Sequence, residues 1–145
     1  MKLEEILAEW DKDAMIDKTD LGNESIRIPQ LHNKYYRIYI QEKLILTKYK
    51  EEHKRLKLDK HEFYFMGPTP ETEEKGWKLP PQGKILKADL NNYIDADDDI
   101  IKRNLKIGIQ YEKVEMLKSI IDSFKNRGFL VKQALDWEKF QVGAF

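Results

Sequence analysis

The sequence predicts an all-α protein of elongated helices, with a long basic and amphipathic N-terminal helix and a C-terminal helical hairpin. Residues 31–65 contain neither Pro nor Gly and carry apolar residues at a helical period. Residues 98–141 contain no Pro and are also rich in apolar residues, and Gly128 is the predicted interruption of the helix. Between these stretches, residues 67–83 hold four of the five prolines and three glycines. Two helical regions joined by an irregular linker are therefore expected.

Composition limits both the size and the chemistry of the protein. A chain of 145 residues that is 41% hydrophobic can bury one modest core, which is typical of a single domain or a domain with an attached arm. The absence of Cys excludes disulfides, thiolate zinc sites and a Cys nucleophile. The N-terminus alternates acidic and apolar residues, so neither a signal peptide nor a membrane span is expected. A cytoplasmic protein is the expectation.

The N-terminal half should form one short helix and one long helix. Leu3, Ile6, Leu7 and Trp10 have amphipathic helical spacing, which predicts a helix from Lys2 to about Asp13. Residues 17–23 are turn-rich and Pro29 suits an early helical position, so the long helix should begin between residues 24 and 31. It should end at residues 66–68. Its apolar sector comprises Leu31, Tyr35, Ile38, Ile45, Tyr49, Leu56 and Phe63.

A basic row follows a neighbouring sector of this helix. Residues 34–60 contain nine basic and four acidic side chains, a local charge of +5 in a chain of zero formal charge. Such a row suits a phosphate chain, although a solvated face with ion pairs such as Glu51 with Arg55 is the plainer interpretation. Tyr39, Tyr49 and Phe63 are further stacking candidates, with core packing favoured for the last two. The row comprises Lys43, Lys50, Lys54, Lys57 and His61, with Tyr36 and Tyr64 at its ends.

The C-terminal region is more apolar than a surface helix requires. The Asp97–Asp99 cluster should cap a helix running to Arg127, and Asn126, Arg127 and Gly128 have the character of a C-cap before a second helix over residues 129–141. The apolar surplus predicts assembly with other copies, whereas closure on the long helix is the alternative. The predicted oligomerisation residues are Ile107, Tyr111, Val114, Leu117, Ile120, Ile121, Phe124, Phe129, Leu130 and Trp137.

Three regions follow from this organisation, and none of them carries a catalytic signature. They are an N-terminal helical region at 1–66 that carries the candidate DNA-binding row, a Pro/Gly-rich acidic linker at 67–96 and an oligomerisation region at 97–145. His32, His53 and His61 lack a zinc-site neighbourhood, and the Asp95–Asp99 cluster lacks the spacing of an EF-hand. No Gly-rich phosphate loop is recognisable. A non-enzymatic protein with no metal and no cofactor is expected.

These residues resemble the UvsY family, the recombination mediators of T4-type bacteriophages. The matching segments are MKLEEILAEWDKDAMID at the start, LHNKYYR entering the long helix, FYFMG at its exit and the C-terminal stretch beginning DIIKRNLKIGIQYEKVEML. Residues 120–133, with their Lys-x-Arg-Gly-Phe core, are the most specific part. The resemblance covers nearly the whole chain.

The resemblance implies a protein that binds single-stranded DNA and assembles into a ring of six or seven subunits. Its implied partners are a RecA-like phage recombinase and single-strand-binding protein, in the cytoplasm of the infected bacterial host. The family's Lys-x-Arg-Leu motif before an aromatic pair is replaced here by Asp59, Lys60, His61 and Glu62, and the nearest basic segment is residues 54–57. A helical scaffold that binds acidic proteins without touching DNA is the alternative. The predicted DNA-binding residues are Lys43, Lys50, Lys54, Arg55, Lys57, Lys60, His61, Tyr36 and Tyr64.

Overall fold

The computed structural model describes residues 1–143 and confirms an all-α fold. No strand occurs in that part of the chain. The helices are α1 (Leu3–Asp13), α2 (Leu21–Met66), α3 (Pro70–Glu74), α4 (Leu90–Asp95) and α5 (Asp98–Gln141). The N-terminal helix therefore lies where its apolar spacing predicted it.

The chain divides into two compact units, and both long helices contribute to each of them. The first unit combines Met1–Leu44 with the chain from Tyr111 onward, and the second is Ile45–Gln110. This division differs from the predicted regions 1–66, 67–96 and 97–145. The reason is that a long helix can bury different parts of its length in different cores, which composition along the chain does not reveal.

The long helix α2 begins earlier than the sequence indicated. It starts at Leu21 and contains Pro29 in its interior. Pro lacks the N–H that would bond to the carbonyl four residues earlier, which usually favours a position in the first turn. Here the preceding turns are held by tertiary contacts, because Leu21 is buried and the Glu24 carboxylate receives a hydrogen bond from Arg127.

The core of the first unit joins α1, α2 and α5. Trp10 packs edge-on against Tyr35 and Phe124, with ring centroids 5.4 and 5.7 Å apart. The Tyr35 hydroxyl donates to Asp13, whose other carboxylate contacts include Lys34 at 2.6 Å. The buried members of this cluster are Ile6, Leu31, Tyr35, Leu117, Ile120 and Phe124.

The predicted C-terminal hairpin is wrong, because α5 is one continuous helix of 44 residues. A C-cap of the predicted kind needs a residue with positive φ, and Gly128 is not among the described residues that have one. Arg127 donates to the backbone carbonyls of Asp13 and Met15 and forms an ion pair with Glu24 at 3.0 Å. Val131 is also buried. These contacts hold the helix together through a glycine that would cost about 1 kcal/mol relative to Ala.

The second unit has its own core, which includes much of the expected linker. Gly67, with φ +98°, ends α2, and the Ile85 amide donates to the Tyr64 carbonyl. Trp77 packs partly buried against this core. Residues 67–96 therefore form part of a folded unit, contrary to the expectation of a plain linker. The buried members are Phe63, Tyr64, Ile85, Leu90, Ile94 and Ile100.

Candidate nucleic-acid interface

A row of exposed basic side chains lies on α2 within the second unit. Lys50, Lys54, Lys57 and His61 are all exposed. At about 100° per residue they occupy one sector of roughly 60°, beside the sector that is buried. The helix is uninterrupted over these positions, so the predicted spacing is preserved. The row therefore offers several cationic groups on one accessible face.

Few acidic groups neutralise this row. Lys54 forms an ion pair with Glu51 at 2.9 Å, but both side chains are largely exposed. Such surface pairs are weak and screened by salt. Among the ion pairs of residues 1–143, none involves Lys50 or Lys57. A polyanion could therefore approach these two cations without first displacing a bound carboxylate.

Lys60 and Tyr64, two predicted DNA contacts, are buried. Lys60 is 3% exposed, and its Nζ lies 2.8 Å from Asp99, 3.2 Å from Asp97 and 3.8 Å from the centroid of the Trp77 ring. The Tyr64 hydroxyl donates to Asp97 at 2.6 Å. Both assignments are corrected, because their polar groups are already used inside the second unit. Lys60 and Tyr64 follow the apolar Leu56 by four and eight residues, so the helical period alone could have placed both on the buried side of α2.

Asp97 connects this buried network to the start of α5. Its Oδ1 accepts from the backbone amides of Asp99 and Ile100, which confirms the predicted cap. Burial alone would raise the pKa of Asp97. The hydrogen bonds from Tyr64 and the Ile100 amide, with the charge of Lys60, outweigh burial and lower that pKa. Burial and the same Asp97 contact raise the pKa of Tyr64. The cluster is therefore a structural ionic network.

Arg55 is exposed but lies outside the row. Its position on α2 is about 100° or more around the helix from Lys50, Lys54 and Lys57. It shares its side of the helix with Glu51, four residues earlier. A single strand that follows the row would not need to contact Arg55.

In the first unit, Tyr36 and Lys43 are exposed as predicted, and further rings lie beside them. Tyr36 is 47% exposed, and its ring lies 5.8 Å from His32 and 6.2 Å from Tyr39 between centroids. Lys43 Nζ lies 5.5 Å from the Tyr39 ring centroid. The sequence assignment did not include His32, although its spacing of four residues before Tyr36 places it on the same face.

The predicted oligomerisation residues separate into two groups. Val114, Leu117, Ile120 and Phe124 are buried within the first unit, which corrects their assignment to a surface between subunits. Their burial agrees with the alternative prediction, in which α5 packs against the long helix within one subunit. Ile107 and Ile121 are half-buried. The exposed members are Tyr111, Phe129, Leu130 and Trp137.

The exposed apolar residues near the end of α5 form a stripe, which we call the C-terminal stripe: Phe129, Leu130, Trp137 and Phe140. It lies on the side of α5 away from buried Val131. The Trp137 and Phe140 rings stack with centroids 5.7 Å apart. Soluble proteins rarely leave such contiguous surfaces uncovered.

No group of three or more His, Cys, Asp or Glu side chains within residues 1–143 is arranged to hold a metal ion. None of the helices in the same part is long and apolar enough to cross a membrane.

The fold and the exposed row define an all-α protein with a surface suited to a polyanion. The chain matches the family described as recombination, repair and ssDNA binding protein UvsY over residues 9–144, and it belongs to that family. The description of this family names recombination, repair and the binding of single-stranded DNA. Because the family description includes binding of single-stranded DNA, the match argues against the alternative of a helical scaffold that does not touch DNA.

The chain is also similar to individual relatives over nearly its full length. The chain is 24% identical over 143 residues to the recombination protein uvsY of Enterobacteria phage T4, with 99% of each sequence covered. The fold is similar to crystal structures of the bacteriophage T4 recombination mediator protein UvsY. In lattice type II the TM-score is 0.79 at 22% identity, with 98% of both chains covered. In lattice type IV it is 0.79 at 21% identity, covering 97% of this chain and 99% of the other.

Proposed function

We propose that this protein is a recombination mediator that binds single-stranded DNA and helps to load a RecA-like phage recombinase onto DNA covered by single-strand-binding protein. Its family membership supports the DNA-binding and recombination parts of this proposal. The relative of known structure is itself described as a recombination mediator. The observation that carries the choice of site is the exposure of the basic row on α2.

Within the row, Lys50 and Lys57 make the principal phosphate contacts, with Lys54 and His61 beside them. Each phosphate neutralised on a single strand releases counterions, which contributes about 0.7 to the slope of log affinity against log salt. Burial removes Lys60 and Tyr64 from this surface. Lys43 and Tyr36 of the first unit remain proposed contacts because both are exposed.

Assembly into a hexamer or heptamer ring multiplies this weak binding. A strand held by one subunit meets the next subunit's row at a high effective concentration, so avidity can exceed the affinity of a single row by ~10²-fold or more. The C-terminal stripe is the proposed contact between subunits. Trp137 is its central residue, because this large ring is 59% exposed.

The row is tested by two matched double variants on α2. Lys50→Gln with Lys57→Gln removes two cations seven residues apart in the row, and Lys48→Gln with Arg55→Gln removes two with the same spacing on another side of the helix. The row variant should lower the salt slope by about 1.4 per bound subunit, because two contacts at ~0.7 each are lost. The control should leave the slope unchanged. Fluorescence anisotropy with labelled oligonucleotides between low and moderate salt measures both.

The mediator activity needs its own measurement. Recombinase filament formation on an oligonucleotide coated with single-strand-binding protein should accelerate when the wild-type chain is added, and less so with the row variant. A chain that binds the bare oligonucleotide normally but never accelerates filament formation would refute the mediator role while leaving DNA binding intact. Equal slopes for the two double variants would instead refute the row as the binding site.

A further inference from the structure

Three rings line one exposed face of α2 in the first unit, and we call them the ring ladder: His32, Tyr36 and Tyr39. The His32 and Tyr36 rings are nearly parallel, with an interplanar angle of 10°. Tyr39 is tilted by 36° relative to Tyr36. Two of the three side chains are exposed and Tyr39 is half-buried. The nearly parallel His32 and Tyr36 rings therefore provide exposed aromatic surface on a charged helix.

The inner edge of the ladder is anchored to the core. His32 contacts the buried Phe124 ring at 6.3 Å between centroids, and Tyr39 packs against the same core cluster. Aromatic side chains have few rotatable bonds, and these contacts restrict them further. Stacking of a base on such a surface therefore costs little additional side-chain entropy.

A shallow cleft opens beside His32 between α2 and α5 of the first unit. Its walls include Pro29, Ile121 and Phe124, and its rim carries Asp122 and Lys125. The walls are apolar and the two rim charges cancel. The cleft itself therefore has no electrostatic preference for a phosphate, whereas its apolar walls suit a base.

A cation lies at the Tyr39 end of the ladder. Lys43 Nζ lies over the Tyr39 ring, 5.5 Å from its centroid, so Tyr39 combines a ring with an adjacent positive charge. Proteins that bind single strands without sequence preference combine stacking rings with nearby cations in this way. Every base has a π-face, so such a surface accepts any sequence.

We propose that the ring ladder, with the cleft beside His32, is a base-stacking subsite for single-stranded DNA, separate from the phosphate-binding row of the second unit. This inference depends on the single-stranded DNA binding of the proposed function and specifies how the bases are held. It assigns stacking roles to His32 and Tyr39 and a central one to Tyr36. The row holds phosphates and the ladder holds bases.

The decisive experiment compares an ordinary oligonucleotide with one of equal length in which the bases are replaced by abasic sites. Both carry the same phosphates, so the ratio of their affinities isolates the contribution of the bases. One stacked base should make this ratio about fivefold or more for the wild-type chain. The double variant His32→Ala with Tyr36→Ala should reduce it to below about twofold and leave the salt slope unchanged.

Controls separate stacking from folding and from the row. Tyr36→Phe keeps the ring and should retain the wild-type ratio. The Lys50→Gln with Lys57→Gln variant should lower the salt slope and retain the ratio, so failure of the row and failure of the ladder give different results. Mass photometry and circular dichroism check that the ladder variants assemble and fold like the wild-type chain.

A second measurement needs no substitution. Oligonucleotides carrying 5-iodouracil, irradiated on the wild-type protein, should crosslink to Tyr36 or His32, as identified by mass spectrometry of the peptides. Crosslinks confined to the second unit would overturn the proposal. An unchanged affinity ratio in a folded His32→Ala with Tyr36→Ala variant would overturn it equally.

Discussion

The two groups of apolar residues on α5 predict opposite effects for the same chemical change. Phe124→Ala and Phe129→Ala each remove one phenyl ring from the same helix. Phe124 is 4% exposed and contacts Trp10 and Tyr35, whereas Phe129 is 68% exposed. Both changes are best made in a Trp137→Ala background, so that loss of assembly is common to the two and does not enter their difference.

The expected magnitude follows from burial. Removing a fully buried phenyl ring loses its transfer free energy and leaves a cavity, which together cost about 3–5 kcal/mol. The edge-on ring contacts of Phe124 with Trp10 belong to this loss. Substitutions at exposed positions such as Phe129 usually change the free energy of unfolding by less than ~0.5 kcal/mol. Since domains are stable by only about 5–15 kcal/mol, Phe124→Ala should be severely destabilised.

Urea unfolding followed by circular dichroism measures this difference at one protein concentration. Mass photometry of the single variants completes the comparison, because Phe129→Ala should weaken assembly while retaining the fold. Equal unfolding free energies for the two double variants would refute the assignment of Phe124 to the core of the first unit. A fully assembled Phe129→Ala and Trp137→Ala double variant would refute the C-terminal stripe as the subunit contact.

Two further predictions concern the buried ionic groups. Arg127→Met should cost about 3–5 kcal/mol of unfolding free energy, because the buried Glu24 carboxylate then keeps only its ion pair with the half-buried Arg27. Adding Glu24→Gln should recover part of that loss in a double-mutant cycle. The lowered pKa of Asp97 contributes stability above its ordinary value of 3.8, and this stability is lost as pH falls through the lower folded value. Thermal melts from about pH 6 down to pH 3 should therefore show a steeper acid loss for the wild-type chain than for Asp97→Asn, which keeps a capping oxygen but loses the charge facing Lys60. Identical acid profiles would contradict this role of Asp97.

Much of the fold was predictable because it depends on local periodicity. The apolar spacing of residues 3–10 located α1, and the absence of Pro and Gly over residues 31–65 located most of α2. Asp97 was identified as part of a cap because Asp is favoured at helix starts. The basic row was also predictable, since its spacing and the helical period together determine which side chains share a face.

Other features were decided by tertiary contacts that no local pattern contains. Gly128 predicts a helix end from the sequence. The helix α5 nevertheless continues, because the neighbouring Arg127 bonds to residues more than 100 positions earlier in the chain. The sequence places Lys60 in a basic segment and so predicts an exposed side chain. In the structure Asp97 and Trp77 contact its ammonium group and the side chain is buried.

The sequence by itself determined the helical class, the approximate positions of the long helices and the face on which the basic row lies, because these follow from interactions between residues a few positions apart. Only the tertiary structure decided which apolar side of α5 is covered and which charges remain open to solvent. Exposure depends on what packs against a residue, and that partner is distant in the sequence. The surfaces proposed here for bases, phosphates and other subunits are ones that the two cores do not use.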